Sequence, residues 1–138
     1  MSKSKAKGTR FESALVSWLQ ANGFPDARRE TLHGTKDVGD VWGVKWMGLP
    51  VVVEAKDCQQ QRHIQWLEEA ETERRNARAV MAIVVAHKKG CGLERFGDND
   101  CLIDLKYLAH LMGANNFPTG YAILRLKTVA AMLRGDYE

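Results

Sequence analysis

The chain has 138 residues, 45% of them hydrophobic and 27% charged, with a formal net charge of +3 at pH 7. This composition is ordinary for a globular domain, and no apolar run approaches the roughly 20 residues that span a bilayer. The N-terminus is polar and basic with no hydrophobic stretch behind it, so we expect neither a secretory signal nor a membrane partner. A cytoplasmic location follows as an expectation, that of the host cell if the protein is viral.

The cysteines are too few and too irregularly spaced for a disulfide framework. They are Cys58, Cys91 and Cys101. A zinc site that combines them with His63 or His87 is an alternative, but reduced structural thiols are the better interpretation.

The first half of the chain predicts a tail, a helix and three strands. We expect residues 1–8 to form a flexible basic tail and residues 9–138 to form a single domain. Apolar residues recur at helical spacing and predict a helix over about 10–22. Three strands are expected at about 27–32, 38–46 and 51–56, and their short connections indicate an antiparallel meander.

The second half predicts a parallel crossover followed by two similar segments. A polar helix over about 59–76 has a narrow apolar stripe formed by Ile64, Leu67 and Ala70. The continuous apolar run over 79–86 is typical of a strand buried on both faces, and a strand, helix, strand order implies a parallel connection. Residues 102–109 and 123–130 each read as a short strand that turns into a helix. The whole predicts an α/β or α+β domain: a central mixed β-sheet with an antiparallel meander, flanked by helices.

The stretch that carries chemistry ends the third strand. Three valines precede Glu54 and Lys56, and alternation along a strand places these two side chains on one face. A carboxylate at the end of such an apolar strand is partly desolvated, which costs several kcal/mol unless the charge is paired or binds a metal. Glu54 therefore needs a partner, either Lys56 or a metal-bound phosphate that both residues share.

Asp40 is the residue expected to face Glu54. Residue 47 is the midpoint of positions 40 and 54, so a hairpin that turns near Gly48 places the two acids almost opposite each other. Opposed carboxylates repel, and a divalent cation between them removes the penalty. Asp37 is nearer the loop and is the second choice. An exposed hairpin with solvated charges is the alternative, which the spacing of Asp40 makes less favourable.

These motifs, taken in order, resemble the PD-(D/E)XK nuclease superfamily, and within it the archaeal-type Holliday junction resolvases. The resemblance covers roughly residues 7 to 90. The matching pieces are Lys7-Gly8, Phe11-Glu12, Arg28-Arg29, Asp40-Val41 and Val53-Glu54-Ala55-Lys56. It implies a restriction-endonuclease-like fold and makes residues 9–138 a nuclease domain.

The resemblance also implies a site and a reaction, the hydrolysis of DNA phosphodiester bonds. Asp40, Glu54 and the backbone carbonyl of Ala55 would bind Mg²⁺, for which Mn²⁺ is expected to substitute. Lys56 would orient the attacking water and offset developing negative charge. Glu12 would support the metal or its water, although Thr9 and Glu12 also have the spacing of a helix capping box.

The expected partner is DNA, with four-way junctions as the implied substrate and a homodimer that supplies two sites for paired cuts. Basic clusters suit a polyanion, although solvated surface charge is the alternative for each cluster. The expected nucleic-acid contacts are Lys5, Lys7, Arg10, Arg28, Arg29, His33, Lys36, Lys88 and Lys89. Two other functions stay open: a duplex or single-strand DNA nuclease in restriction, repair or phage DNA processing, and a catalytically silent DNA-binding module.

Overall fold

The computed structural model describes residues 3–30 and 39–137, and within them the expected architecture is confirmed: a mixed sheet with helices on both faces. The helices are α1 (Lys3–Ala21), α2 (His63–Ala77), α3 (Leu105–Met112), α4 (Leu126–Arg134) and one 3-10 helix (Leu93–Asp98). The strands are β1 (Arg28–Arg29), β2 (Val41–Trp42), β3 (Lys45–Trp46), β4 (Leu49–Lys56), β5 (Met81–Ala86), β6 (Asp100–Asp104) and β7 (Tyr121–Arg125).

The described strands form one sheet in the order β1-β2-β4-β5-β6-β7, and β3 also pairs with β4. The β4 and β5 strands are parallel and are joined through α2, which confirms the expected crossover. All other pairings are antiparallel. Every residue of β5 is buried, as its unbroken apolar sequence predicts for a central strand. The segments after residue 100 are the strand-to-helix pairs expected.

A bulge opposite the first half of β4 changes the register of the hairpin. Val41 of β2 faces Val53 of β4, whereas Lys45 of β3 faces Pro50, so β3 carries one extra residue relative to the β2 pairing. Gly43 lies in this interval with φ +91°, and a Cβ there would fall 2.1 Å from the Asp26 carbonyl oxygen. Only glycine fits both the conformation and the space.

The sheet divides the core into two layers. On one face α1, α3 and α4 cover residues such as Val53, Ile83 and Ile103. On the other face α2 packs through Trp66 and Ala70 against the β4, β5 and β6 strands. Because Val52 belongs to the α2 layer, the alternation along β4 directs Glu54 to the α2 side as well.

Several predicted boundaries were wrong. The first helix begins at Lys3 rather than near residue 10, so residues 3–8 are helical where we expected a flexible tail. The strand expected over 38–46 is divided by the bulge into β2 and β3, and the strand expected over 27–32 is β1, at 28–29 within the described residues. The second helix begins at His63, four residues later than predicted.

The apolar stripe predicted for α2 was wrong at Ile64 and correct at Ala70, which is buried, and at Leu67, which packs against the same core. The buried residues of α2 are Trp66, Ala70 and Glu73, while Ile64 is 59% exposed. The helix is therefore rotated from the predicted orientation, because the large Trp66 side chain rather than Ile64 enters the core. None of the helices within residues 3–30 and 39–137 has the length and apolar character needed to cross a membrane.

Candidate active site

A cleft of about 490 Å³ opens at the carboxyl end of β4. The sheet contributes Asp40, Glu54 and Lys56, which are three of the four side chains predicted to be catalytic. The fourth, Glu12, reaches the cleft from α1, and α2 closes the other side. The complete lining is Glu12, Asp40, Glu54, Ala55, Lys56, Glu69, Thr72 and Glu73.

Asp40 and Glu54 are neighbours across two strands, as the count to a midpoint at residue 47 predicts. The register that pairs Val41 with Val53 places position 40 opposite position 54. The Asp40 backbone N–H donates to the Val53 carbonyl at 3.1 Å, and its side-chain Oδ2 accepts from the Ala55 backbone N–H at 2.8 Å. Asp40 is therefore held on both sides of Glu54 by the backbone of β4.

Glu54 is a buried acid in an acidic setting. Its side chain is 4% exposed, and its Oε2 has no hydrogen-bond partner within residues 3–30 and 39–137. Burial, and then the carboxyl groups of Asp40 and Glu73 that it faces, raise the pKa of Glu54 far above its usual range. This arrangement is unfavourable for an anion and becomes favourable when a cation lies among the carboxylates.

Lys56 forms its ion pair with α2 rather than with Glu54. Its Nζ donates to Glu69 Oε2 at 3.1 Å, and Gln65 donates to the other Glu69 oxygen. Burial lowers the pKa of Lys56, but the hydrogen bond to Glu69 and the charges of Glu54, Glu69 and Asp40 outweigh burial and raise it. Lys56 is thus a fixed cation in the cleft, and Glu54 is left without the lysine as a partner.

Glu12 is bound to Arg29 and does not form a capping box. Arg29 donates to Glu12 Oε2 from Nε at 3.1 Å and from Nη2 at 2.9 Å. Since α1 begins at Lys3, Thr9 lies inside the helix and the capping interpretation was wrong. Burial and the charge of Asp40 raise the pKa of Glu12 above its ordinary value, against the opposing effect of Arg29. The Glu12 carboxyl group is therefore close enough to Asp40 for the two charges to interact.

The predicted DNA contacts lie in two regions near the cleft. Arg29 borders it through Glu12, with Arg28 exposed beside it on β1. Lys7 pairs with Asp57, immediately after Lys56, at 3.4 Å and shares a second cleft with Lys89. The remaining predicted contacts within the described residues are Lys5, Arg10 and Lys88, all of them exposed. His33 and Lys36, and the alternative acid Asp37, lie outside the described residues.

Sequence reasoning missed the contribution of α2. Glu69, Thr72 and Glu73 face the cleft, and Glu73 is only 4% exposed. The signal was present, because Glu73 continues the line of Trp66 and Ala70 at helical spacing. It was missed because the predicted stripe included Ile64 rather than Trp66, so the line from Trp66 through Ala70 to Glu73 was not recognised.

The oxygen donors of the cleft suit a hard divalent cation such as Mg²⁺ or Mn²⁺. The strongest indication is Glu54 Oε2, a buried carboxylate oxygen to which the described part of the chain donates no hydrogen bond. Within residues 3–30 and 39–137, no three His, Cys, Asp or Glu side chains are placed so as to hold an ion together. Two carboxylates with a backbone carbonyl, as predicted, therefore fit better than a preformed cage of side chains.

The fold and the cleft together define an α+β protein. Its acids Asp40 and Glu54 and its lysine Lys56 meet in one cleft beside the paired strands β2 and β4. A similar solved structure is Hjc, a Holliday junction resolvase from the hyperthermophilic archaeon Archaeoglobus fulgidus. The two share 18% sequence identity with a TM-score of 0.53, over 89% of this chain and 99% of that one. The likeness is distant and establishes a shared fold, as expected from the sequence motifs. No protein-family model matches the chain, and no curated protein does so at a significant level.

Proposed function

We propose that the protein is a divalent-metal-dependent endonuclease that hydrolyses phosphodiester bonds in branched DNA. The observation that carries the proposal is the pairing of Asp40 with the buried Glu54, with Lys56 in the same cleft. Similarity to the fold of a Holliday junction resolvase supports the choice of substrate. Such an enzyme would act in DNA recombination or repair.

Each residue of the cleft has a distinct part in this proposal. Asp40 and Glu54, together with the backbone carbonyl of Ala55, would bind Mg²⁺, with Mn²⁺ able to substitute. The bound ion would supply Lewis acidity at the scissile phosphate and a lowered pKa for water. Lys56, a cation fixed by Glu69, offsets negative charge that develops on the phosphate and orients the attacking water. Glu12 would support the metal or its bound water, and its salt bridge keeps Arg29 at the edge of the cleft.

The basic residues around the cleft would bind the DNA backbone. Arg29 presents a planar guanidinium beside the acids, while Lys7 and Lys89 lie beyond Lys56. A four-way junction has two equivalent strands to cut, so we propose that the enzyme acts as a homodimer with one cleft for each strand. Light scattering measures the oligomeric state directly.

The test compares cleavage of a synthetic four-way junction with that of linear duplex and single strands of the same sequences, in Mg²⁺ and in EDTA. We expect Mg²⁺-dependent cuts in the junction, abolished by Asp40→Asn and unaffected by Glu68→Gln, an exposed control on α2. DNA binding by the Asp40→Asn variant should persist in a gel-shift assay.

The outcomes of this test distinguish the substrate, the activity and the site. Equal cleavage of junction and duplex would replace the branched substrate with a general one, as in a restriction, repair or phage DNA-processing nuclease. Binding without cleavage in either Mg²⁺ or Mn²⁺ would indicate a DNA-binding module and overturn the proposal. Full activity of Asp40→Asn would overturn the assignment of the site.

A further inference from the structure

The strand register places the cleft and the end of β7 on one line across the sheet. Lys56 of β4 faces Ala86 of β5, which in turn faces Asp100 of β6. Asp100 faces Arg125 at the end of β7. Neighbouring strands lie about 4.8 Å apart, so this line runs roughly 14 Å from the cleft to Arg125. The segments that adjoin these positions therefore share one end of the sheet.

The far end of this line carries three exposed cations around one carboxylate. Asp98, in the 3-10 helix before β6, forms ion pairs with Lys127 at 2.8 Å, Arg95 at 3.2 Å and Arg125 at 3.4 Å. The Asp98 side chain is 15% exposed, whereas those of its three partners are 55% to 65% exposed. Since one carboxylate balances only one of these charges, the group of four keeps an excess of positive charge that faces solvent.

The buried Asn99 joins this group to the loop that follows β5. Its side-chain Oδ1 accepts from the Lys88 backbone N–H at 2.8 Å, and its Nδ2 donates to the Phe96 carbonyl at 2.9 Å. Its own carbonyl accepts from the Leu126 backbone N–H at 2.9 Å. The basic loop after β5, the 3-10 helix and the start of α4 are therefore fixed relative to one another.

We propose that this end of the sheet binds the phosphate backbone of a DNA arm that runs from the cleft towards β7, a proposal that rests on the proposed function. The cations of this sheet-end basic surface are Lys88, Lys89, Arg95, Arg125 and Lys127. Its acids are Glu94, Asp98 and Asp100, of which only Glu94 is exposed. A length of roughly 14 Å corresponds to about four base pairs of B-DNA. The surface gives a function to the segment after residue 93, to which the sequence assigned no DNA contact.

Asp98 positions the cations and does not itself bind DNA. Long basic side chains lose conformational freedom when they bind a phosphate, and a shared carboxylate limits that freedom before DNA arrives. Exposed ion pairs of this kind contribute little to stability. Removal of the cations therefore removes phosphate contacts and leaves the fold intact.

The experiment measures binding of the full chain to a fluorescent four-way junction and to a linear duplex, by anisotropy in EDTA over a range of salt concentrations. The double variant Arg125→Gln/Lys127→Gln is compared with Lys45→Gln/Arg78→Gln, which removes the same charge from exposed residues at the opposite end of the sheet. Each phosphate contact adds about 0.9 to the slope of log affinity against log salt. The first variant should therefore reduce the slope by about two and weaken binding about tenfold or more near physiological salt, while the control keeps the wild-type slope.

The outcomes separate the sheet-end basic surface from the proposed function. If wild type binds DNA and Arg125→Gln/Lys127→Gln keeps its slope, or the control loses as much, the cations are solvated surface charge and only this inference is overturned. If wild type binds no DNA, both are overturned. The expected loss of slope without cleavage in Mg²⁺ or Mn²⁺ overturns the proposed function alone. Should the double variant fail to fold, Arg95→Gln decides, because it leaves Asp98 two partners: a slope reduced by about one supports the surface and an unchanged slope overturns it.

Discussion

Glu54→Gln should raise the stability of the metal-free protein while it abolishes metal binding and cleavage. The wild-type side chain is buried and faces two other carboxyl groups, and its Oε2 has no hydrogen-bond partner among the described residues. A glutamine of the same shape carries no charge, and its amide N–H groups can donate to the Asp40 and Glu73 oxygens. A residue retained for folding would show the opposite sign.

The size of this gain follows from the pKa shift. In the unfolded chain Glu54 ionises with its ordinary pKa of 4.5, whereas burial and the neighbouring acids keep it protonated in the metal-free fold. Stability contributed by the protonated form is complete below pH 4.5 and is lost as pH rises towards the folded-state pKa. One pKa unit is worth about 1.36 kcal/mol, so the roughly 2.5 units up to pH 7 bound the cost at about 3 kcal/mol.

The assay is thermal unfolding in EDTA at pH 7 and at pH 4.5. At pH 7 we expect Glu54→Gln to gain about 1 to 3 kcal/mol, or roughly 3 to 10 °C in Tm for a domain of this size. At pH 4.5 the gain should shrink towards zero, because Glu54 is then protonated in the folded state and already about half protonated in the unfolded state. Glu68→Gln, on the exposed face of α2, should change Tm little at either pH. A Tm for Glu54→Gln that is lower than wild type, or a gain equal at both pH values, would refute the reasoning.

Three further predictions test the cleft, its surroundings and the fold. Lys56→Met should lower the single-turnover cleavage rate at least 100-fold, the effect of removing one transition-state charge, and should leave Mn²⁺ affinity within about threefold; a tenfold loss of affinity would make Lys56 part of metal binding instead. DNA affinity, measured by fluorescence anisotropy, should fall steeply between 50 and 200 mM salt because phosphate contacts release counterions, and a flat response would exclude the basic clusters as the binding surface. Gly43→Ala should lower the free energy of unfolding in urea by about 3 kcal/mol or more, because its Cβ would lie 2.1 Å from the Asp26 carbonyl oxygen. Gly48→Ala, where φ is +79° and no atom is near the new Cβ, should lower it by only about 1 kcal/mol. Equal losses at the two glycines would contradict the packing described at the bulge.

The sequence was sufficient to predict those parts of the fold and site in which the local residue pattern and the tertiary environment agree. The apolar run over 79–86 contains the fully buried strand β5, and the spacing of positions 40 and 54 predicts their pairing to within the one residue that the bulge adds. The resemblance to junction resolvases predicted the same fold that the comparison with Hjc supports.

The salt bridges of the cleft and the orientation of α2 could not be predicted, because they depend on contacts between segments that are distant in the sequence. The salt bridges of Lys56 with Glu69 and of Glu12 with Arg29 join elements whose relative orientation no local pattern specifies. The orientation of α2 was missed because Ile64 and Trp66 both suit a core, and only packing against the sheet selects Trp66. That choice also determines which glutamates of a highly charged helix become buried.

The extra residue at Gly43 separates two parts of the same hairpin. On one side of it the strands hold the acids at fixed spacing; on the other side the hairpin ends in a two-residue turn with Met47 80% exposed. Because the bulge lies between the turn and the acidic pair, we expect a change in the length or composition of the turn to leave the pairing of Asp40 with Glu54 unchanged. The tip is therefore a place where this chain can accept a tag, a fluorophore or a longer loop without altering the acidic cleft.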